Sequence, residues 1–344
     1  MWVIFFHARL DERLDSLEQY LPFWIDALLF QWGYLGVAIF FVLSGFVIAH
    51  SLRNATIDLT YFRQFTIRRL IRLTPPYYAS IAITLGFSLL AAFMKRQPFA
   101  PMGEPFSIER FIAHLFYVQE LVGFANFNDV YWTLGLEIQS YLLLCTLIGF
   151  SQWLTYRCQI QSSFLIVFLP TALISALFPV VIMPGLGRSL MIVPLLYSFL
   201  LGVFAYWCWQ QKFSRLWFYL YSGVLLVAGI VHQAEFTIVS AIAATLLLEV
   251  GRAGQLTDLL KGSVLQVFGD VSYSLFLTHT PVMGVVFFVG QRILGTSALS
   301  DAVCLVASIF VCFGFAATVW FSIEKPSIVW SQSITLPTIK GVRS

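Results

Sequence analysis

The sequence predicts an all-α membrane protein, a polytopic bundle of about ten transmembrane helices of which the first is truncated. Hydrophobic residues make up 59% of the 344 residues and charged residues only 11%, far from the balance found in soluble domains. Apolar runs recur along the whole chain, and a helix needs about 20 apolar residues to cross a hydrocarbon core of about 30 Å. The net charge of +3 therefore gives no argument for a nucleic-acid partner, and we predict none.

Nine apolar runs are long enough to span a bilayer, and a fragment of a tenth precedes them. The fragment is residues 1–7, and the runs are residues 32–50, 74–93, 131–150, 163–183, 190–209, 216–232, 236–250, 265–289 and 302–322. The shorter, charged segment 108–121 predicts an interfacial or re-entrant helix. We expect an integral membrane domain over residues 1–330 and a cytoplasmic tail over residues 331–344.

Basic residues are divided unevenly between alternate loops, which predicts the orientation. One set of loops holds 13 of the 20 Lys and Arg residues, and loops rich in these residues stay cytoplasmic. The C-terminus is therefore expected inside. The first helix then runs outward and ends near His7.

An arginine cluster marks one of the predicted cytoplasmic loops, in the stretch YFRQFTIRRLIRLTPPYY, residues 61–78. On a helix, the i, i+3 and i, i+4 spacings bring the guanidinium groups of Arg68, Arg69 and Arg72 to one side. Thr74 can cap the next helix, and Pro75 fits its first turn. Positive-inside bias alone explains such a loop; the alternative is a phosphate site, because planar guanidinium forks suit phosphates.

Three ionisable residues fall at a similar predicted depth in the outer half of the membrane, namely His7, Glu137 and His279. Ionisable groups inside a membrane are expensive unless they are paired or line a wet cavity, so they indicate function. A lone histidine can instead bond a neighbouring hydroxyl. A carboxylate needs a partner or a proton.

Other polar and aromatic residues have simpler interpretations. The five cysteines are scattered singly, without metal-ligand spacing, so we expect buried filler and no metal site. We interpret His50 and His114 as structural, Gly45 as a close helix contact and Tyr131 as part of an aromatic belt at the membrane surface. Further belt residues are Trp132, Trp320 and Trp330.

Five motifs, in this order, resemble the membrane-bound acyltransferase 3 family: FFVLSGFVIAHSL, YFRQFTIRRLIRLTPPYY, YWTLGLEIQSYLL, GDVSYSLFLTHTP and FSIEKPSI. The resemblance covers about residues 1–328 and implies ten spans with both termini inside. It implies transfer of an acyl group, commonly acetyl from acetyl-CoA, to a sugar hydroxyl of an envelope or exported glycan or glycolipid. Its implied partners are an acyl-CoA, the glycan acceptor and the bilayer of a bacterial cytoplasmic membrane. No permanently bound cofactor is expected.

The resemblance assigns catalytic roles to three residues. His7 matches the histidine of the family's first helix and is expected to act as the base. Glu137 matches the glutamate of the Trp-Ser-Leu-x-x-Glu signature, although Thr133 replaces the serine. His279 ends the Ser-Tyr-x-x-Tyr-x-x-His signature, with Phe276 in place of the second tyrosine, and is expected to polarise the forming oxyanion.

Coenzyme binding is assigned in the same way. Arg69 and Arg72 match the family's arginine pair, and Arg68 and Tyr273 are expected to assist them in binding acyl-CoA. The Glu-x-Pro signature of the last span is met at Glu324.

One departure from the family leaves alternatives open. The family's first helix carries an arginine before the histidine, at a position that would precede Met1. The start of this sequence is then too far downstream, or the chain is an inactive, truncated acyltransferase. A proton-coupled sugar or lipid transporter is a further alternative, since it too places His and Glu inside the membrane.

Overall fold

The computed structural model describes residues 2–10, 13–256, 258 and 261–336. Within these residues the regular structure is helical, with no strand, so the predicted all-α class is confirmed. Most of the predicted C-terminal tail, residues 337–344, lies outside the described residues.

The N-terminal helices are short and irregular. They are α1 (Trp2–Leu10), α2 (Asp15–Glu18) and α3 (Phe23–Asp26), and α3 continues through a π turn and a 3-10 turn into α4 (Gly36–Ser51). The remaining helices are α5 (Leu59–Lys95), α6 (Ile108–Leu115), α7 (Tyr131–Cys158), α8 (Ser163–Leu177), α9 (Leu196–Trp209), α10 (Arg215–Val231), α11 (Glu235–Arg252), α12 (Ser263–Leu294), α13 (Ala298–Val319) and α14 (Lys325–Ser333).

Each of the nine apolar runs predicted from the sequence overlaps a helix. In the described part of the chain, 6 helical stretches are long and apolar enough to cross a membrane, and α10 and the stretch Val193–Trp209 are shorter apolar helices. The protein is therefore a multi-pass membrane protein.

Three predicted boundaries are wrong. No helix starts at Thr74, because α5 runs without interruption through Pro75 and Pro76. The interfacial helix predicted over residues 108–121 ends at Leu115, and Tyr117 then takes a φ of 60°, which a helix does not tolerate. The first full span begins at Phe23 rather than at residue 32.

The chain divides into two compact units. The first comprises Met1–Gly36, Arg69–Leu134 and Gly262–Ser333. Its core includes side chains from α1, α12 and α13, among them Ile4, Met283 and Cys312. Asp301, at the start of α13, accepts hydrogen bonds from the backbone N–H groups of Ser16 (3.1 Å) and Leu17 (3.2 Å). This carboxylate therefore caps α2, which satisfies donors that a helix N-terminus leaves unpaired.

The second unit comprises Val37–Arg68, Gly135–Lys261 and Ile334–Ser344, and its central helix is α9, buried along nearly its whole length. A Cβ atom at Gly45 would lie 2.0 Å from the carbonyl oxygen of Phe199, and one at Gly202 would lie 1.9 Å from that of Val42. Only glycine permits this approach of α4 and α9. The close contact predicted at Gly45 is confirmed.

Candidate active site

Two histidines from distant parts of the sequence lie side by side in the first unit. His7 on α1 and His279 on α12 are 5% and 1% exposed, and their ring centroids are 5.1 Å apart. Two imidazoles so close inside an apolar environment cannot both carry a charge without strong repulsion.

The hydrogen bonds of His279 fix its tautomer. Its Nδ1 atom lies 3.0 Å from the carbonyl oxygen of Leu275 and 2.8 Å from that of Phe276. Because carbonyl oxygens only accept, Nδ1 carries the proton and donates it. The lone pair therefore sits on Nε2, which lies 3.4 Å from the hydroxyl of Thr280. A neutral His279 presents an acceptor on that side, rather than the donor that its predicted oxyanion role requires.

A break in the hydrogen bonding of α12 lies next to His279. Pro281 has no N–H, so the carbonyl of Leu277, four residues earlier, loses its helical donor. Two side chains replace it: Ser80 Oγ donates to this oxygen at 2.7 Å and Asn128 Nδ2 at 3.2 Å. The hydroxyl of Tyr131 lies 2.7 Å from Ser80 Oγ. Helix α12 is thus tied to α5 and to the start of α7 at the level of the histidines.

A small cavity of about 180 Å³ reaches His279 from the N-terminal half of α12. It is lined by Val3, Ile4, Phe268, Ser272, Leu275, Phe276 and His279. At about 1.5 Å per residue, the α12 part of this lining spans roughly 16 Å along the helix axis.

A larger cavity of about 460 Å³ begins where the small one ends, at Thr280, and follows the C-terminal half of α12 to Gln291. It is also lined by Asn128, by the second half of α5 and by Arg13. The guanidinium of Arg13 interacts electrostatically with His7. The two cavities therefore lie on opposite sides of the level of the histidine pair along α12.

A buried arginine shapes the loop that carries Asn128. Arg110 on α6 is 2% exposed, and its guanidinium lies 4.5 Å from the ring centroid of Phe127. It donates to five backbone carbonyl oxygens, those of Pro101, Glu104, Pro105, Ala125 and Asn126, at 2.9–3.4 Å. His114 accepts a hydrogen bond at Nε2 from the Phe127 N–H (3.0 Å) and donates from Nδ1 to the Arg110 carbonyl oxygen (2.8 Å). Burial lowers the pKa of His114 to about 4, so the ring is neutral at neutral pH.

The predicted coenzyme residues Arg69, Arg72 and Tyr273 lie in the first unit. Tyr273 donates from its hydroxyl to the carbonyl oxygen of Leu73, 2.9 Å away, so a ligand can use only its oxygen lone pairs. Glu324 accepts from the Ser274 N–H at 3.1 Å and from the Ser274 hydroxyl, and it interacts electrostatically with Arg72. Tyr273 is about 9 Å along the axis of α12 from His279.

The other two predicted site residues, Glu137 and Arg68, belong to the second unit. Glu137 on α7 is 6% exposed and accepts a hydrogen bond from the hydroxyl of Tyr141. Arg68 lies on α5, directly before the point at which that helix enters the first unit.

Sequence reasoning missed Arg13, Ser80 and Asn128, and it interpreted Tyr131 wrongly. Tyr131 is fully buried and hydrogen-bonded instead of lying in a surface belt. Pro281 predicts that the carbonyl oxygen of Leu277 lacks its helical hydrogen bond, because proline has no N–H. The sequence does not indicate that Ser80 and Asn128 are the residues that bond this oxygen.

A family model described as an acyltransferase domain, that of acyltransferase 3, matches residues 1–323 of the chain. Comparisons with curated proteins and with solved structures found no significant match.

Proposed function

The chain belongs to the acyltransferase 3 family, and on that premise we propose that it is an acyl-CoA-dependent O-acyltransferase of the bacterial cytoplasmic membrane. The acyl group is acetyl, donated by acetyl-CoA. The acceptor is a sugar hydroxyl of an envelope or exported glycan or glycolipid. The observation that carries the proposal is the buried pair His7 and His279, with one cavity on each side of it.

The donor enters from the side of His279 on which Arg72 and Tyr273 lie, and Arg69 is one turn before Arg72 on α5. Guanidinium groups suit the phosphates of a nucleotide, and the small cavity, which runs along α12 from Phe268 to His279, passes Ser272, next to Tyr273. The flexible thioester arm of the donor occupies this cavity. Arg68 directly precedes Arg69 on α5 and adds a third positive charge to this segment of the helix.

The acceptor enters from the larger cavity, and its hydroxyl oxygen attacks the thioester carbon beside His7. The imidazole of His7 takes the hydroxyl proton as the C–O bond forms. The C–S bond then breaks, and the coenzyme sulfur leaves with a proton returned by His7. The products are the acyl ester and free coenzyme A. General-base help of this kind is typically worth about 10²- to 10⁴-fold in rate.

His279 supports the base. When His7 is protonated, the adjacent Nε2 lone pair of His279 can accept a hydrogen bond from it, so the positive charge is not left unpaired in an apolar site. The hydrogen bonds from Nδ1 to two backbone carbonyls hold the ring for this task. The resemblance predicts Glu137 as a third catalytic residue; this buried carboxylate accepts a hydrogen bond from Tyr141 in the second unit, and its role stays a prediction.

The proposed orientation puts the N-terminal half of α12 and the arginines of α5 towards the cytoplasm, where acetyl-CoA is made, and the large cavity towards the outside. The support is the excess of Lys and Arg in one set of loops. The last basic residues of that set, Lys340 and Arg343, lie outside the described residues.

The test is acyl transfer in membranes that contain the protein, with acetyl-CoA labelled in the acetyl group. We expect label in a base-labile ester on glycan, and its loss in the variant His7→Ala while the variant remains membrane-inserted. Label in glycan at the wild-type rate in His7→Ala would remove His7 from the mechanism. A transporter would move glycan across the membrane without labelling it, so the same experiment separates that alternative.

A further inference from the structure

Another cavity, of about 250 Å³, is formed by the second unit alone. Residues near three helix ends line it: α4 stops at Ser51, α8 begins at Ser163 and α9 stops at Trp209. These helices are apolar along their length, and membrane helices end near the headgroup region of the bilayer. The cavity therefore lies at the depth of lipid headgroups.

Two cations, Arg53 and Lys212, are the ionisable residues that line this cavity, and no carboxylate lines it. Arg53 Nη1 donates to the carbonyl oxygen of His50 at 2.9 Å, and Lys212 Nζ donates to the carbonyl oxygen of Arg53 at 3.4 Å. Neither cation forms an ion pair within the part of the chain that the structure describes. The residues of this unit outside that part, 257, 259–260 and 337–344, include no Asp or Glu. The cavity therefore carries two positive charges that no side-chain carboxylate of this unit pairs.

The loop that carries Arg53 is held against α7. The side chain of Gln152 donates from Nε2 to the carbonyl oxygen of Ala55 at 2.8 Å, and its Oε1 atom accepts from the N–H of Ile57 at 2.8 Å. A Cβ atom at Gly149 would lie 2.9 Å from Cγ2 of Ile57, so the loop also packs closely on the helix. Because these contacts order the loop in advance, a ligand loses little affinity in fixing the position of Arg53.

The opposite wall of the cavity is aromatic. The ring of Trp207 packs edge-on against Phe164 and Phe168, at centroid distances of 5.0 and 4.9 Å, and its indole N–H bonds none of the residues that the structure describes. Leu165 and Leu169, which follow the two phenylalanines on α8, are more than half exposed. In a bilayer this face of α8 contacts lipid chains. The lining thus joins positive charge to a surface that lipid chains cover.

We propose that the cavity binds the headgroup of an anionic phospholipid. The phosphate oxygens accept hydrogen bonds from Arg53 and Lys212, and the acyl chains lie along α8. Basic pockets between membrane helices suit such headgroups. The volume of about 250 Å³ is smaller than the roughly 300–1,000 Å³ of sites that enclose a whole drug-sized ligand, so the chains stay in the bilayer. A zwitterionic headgroup adds a third cation and is bound less tightly.

Lipid binding is tested on the purified full-length protein in dodecyl maltoside. The protein is titrated with dioleoyl phosphatidylglycerol or with zwitterionic dioleoyl phosphatidylcholine, and the shift of the unfolding temperature gives each affinity. We expect the anionic lipid to bind about ten-fold more tightly, with a preference that shrinks as salt rises. Equal affinity for the two lipids overturns the proposal.

Soluble glycerol 1-phosphate separates the two sources of a phosphate ester. It carries the same phosphate but lacks the chains that lie along α8, so we expect it to bind at least about 100-fold more weakly than phosphatidylglycerol. If it binds as tightly as the lipid, the cavity is a site for a soluble phosphate ester, and the lipid assignment is wrong.

Variants then tie the preference to the cavity. Arg53→Gln and Lys212→Gln should each lower the affinity for phosphatidylglycerol about five-fold and leave that for phosphatidylcholine nearly unchanged. Lys212→Gln removes only one long hydrogen bond from the fold, so it keeps the test valid if Arg53→Gln fails to accumulate. Arg157→Gln is the matched control, because Arg157 lies on α7 of the same unit but does not line the cavity. An equal loss in the control, or no loss in Lys212→Gln, would show that lipid responds to diffuse surface charge and would refute the site.

Discussion

Replacing the two donors that bond the Leu277 carbonyl should have a larger effect than the sum of the single replacements. Ser80 and Asn128 both donate to this oxygen, which Pro281 leaves without a helical partner. In Ser80→Ala or Asn128→Ala the other donor remains, so each should lower the free energy of unfolding by about 0.5–1 kcal/mol. In Ser80→Ala, Tyr131 still has Thr84 as a partner, 3.2 Å away.

The double variant leaves a buried carbonyl without a donor, which costs about 2–3 kcal/mol. About 1 kcal/mol of this is coupling between the two sites. Pro281→Ala supplies the missing N–H within the helix, so on that background the double replacement should cost less than about 1 kcal/mol. Because His279 is two residues from Pro281, the double variant should also lose acyl transfer more than ten-fold.

The assay is equilibrium unfolding of all variants in one detergent, combined as a double-mutant cycle with and without Pro281→Ala. Labelled acetyl transfer is measured on the same preparations. Additive single effects, or an unchanged penalty in the Pro281→Ala background, would show that the Leu277 carbonyl does not organise this part of the site.

Three further outcomes are expected. Gly202→Ala should lower the free energy of unfolding by about 3 kcal/mol or prevent accumulation of the protein, because its Cβ would lie 1.9 Å from a backbone oxygen. Gly86→Ala is the control: its Cβ would meet nothing within 4 Å, so the free energy of unfolding should not decrease in the same assay. His114 should lower the free energy of unfolding by up to about 3 kcal/mol as the pH falls from 6.5 to 4, because burial lowers its pKa to about 4 and only the unfolded chain takes up its proton in that range. The pH dependence of unfolding should therefore be less steep in His114→Gln by this amount, and an equal slope in the variant would assign it to other groups. Arg72→Gln should raise the KM for acetyl-CoA about ten-fold while changing that for the acceptor little, and steady-state kinetics with an unchanged donor KM would remove Arg72 from coenzyme binding.

Composition and apolar run length were enough to predict the helical class and the approximate position of every long helix. Both depend on local sequence, since a span needs only an unbroken apolar stretch. The close contact at Gly45 could also be predicted, because a small residue inside an apolar helix has few other uses. The break predicted at Thr74 was wrong, because α5 continues through Pro75 and Pro76 and the surroundings of a proline in a membrane helix can satisfy the carbonyls that it frees.

The site was predicted in part. Equal depth in the membrane suggested that His7 and His279 belong together, but depth does not fix which helices are neighbours. Asn128 donates a hydrogen bond to a carbonyl 149 residues away in the sequence. The carbonyl oxygens that accept hydrogen bonds from Arg110 belong to the backbone, so no residue type in the sequence identifies them. The residues that line the large cavity, Arg13 and Lys95 among them, come together only because segments far apart in the sequence pack side by side.

The central claim is that the thioester reaches the histidine pair through the small cavity, and crosslinking with a photoreactive acyl-CoA tests it most directly. An analogue with a diazirine at the end of a short acyl chain should label the lining of that cavity, between Phe268 and His279 of α12 and at Val3 or Ile4. Excess acetyl-CoA should abolish the labelling, and Arg72→Gln should weaken it. If the labelling that excess acetyl-CoA abolishes is found only on α8, α10 or α11, and none on α12 or α1, the thioester does not reach the histidine pair through the small cavity.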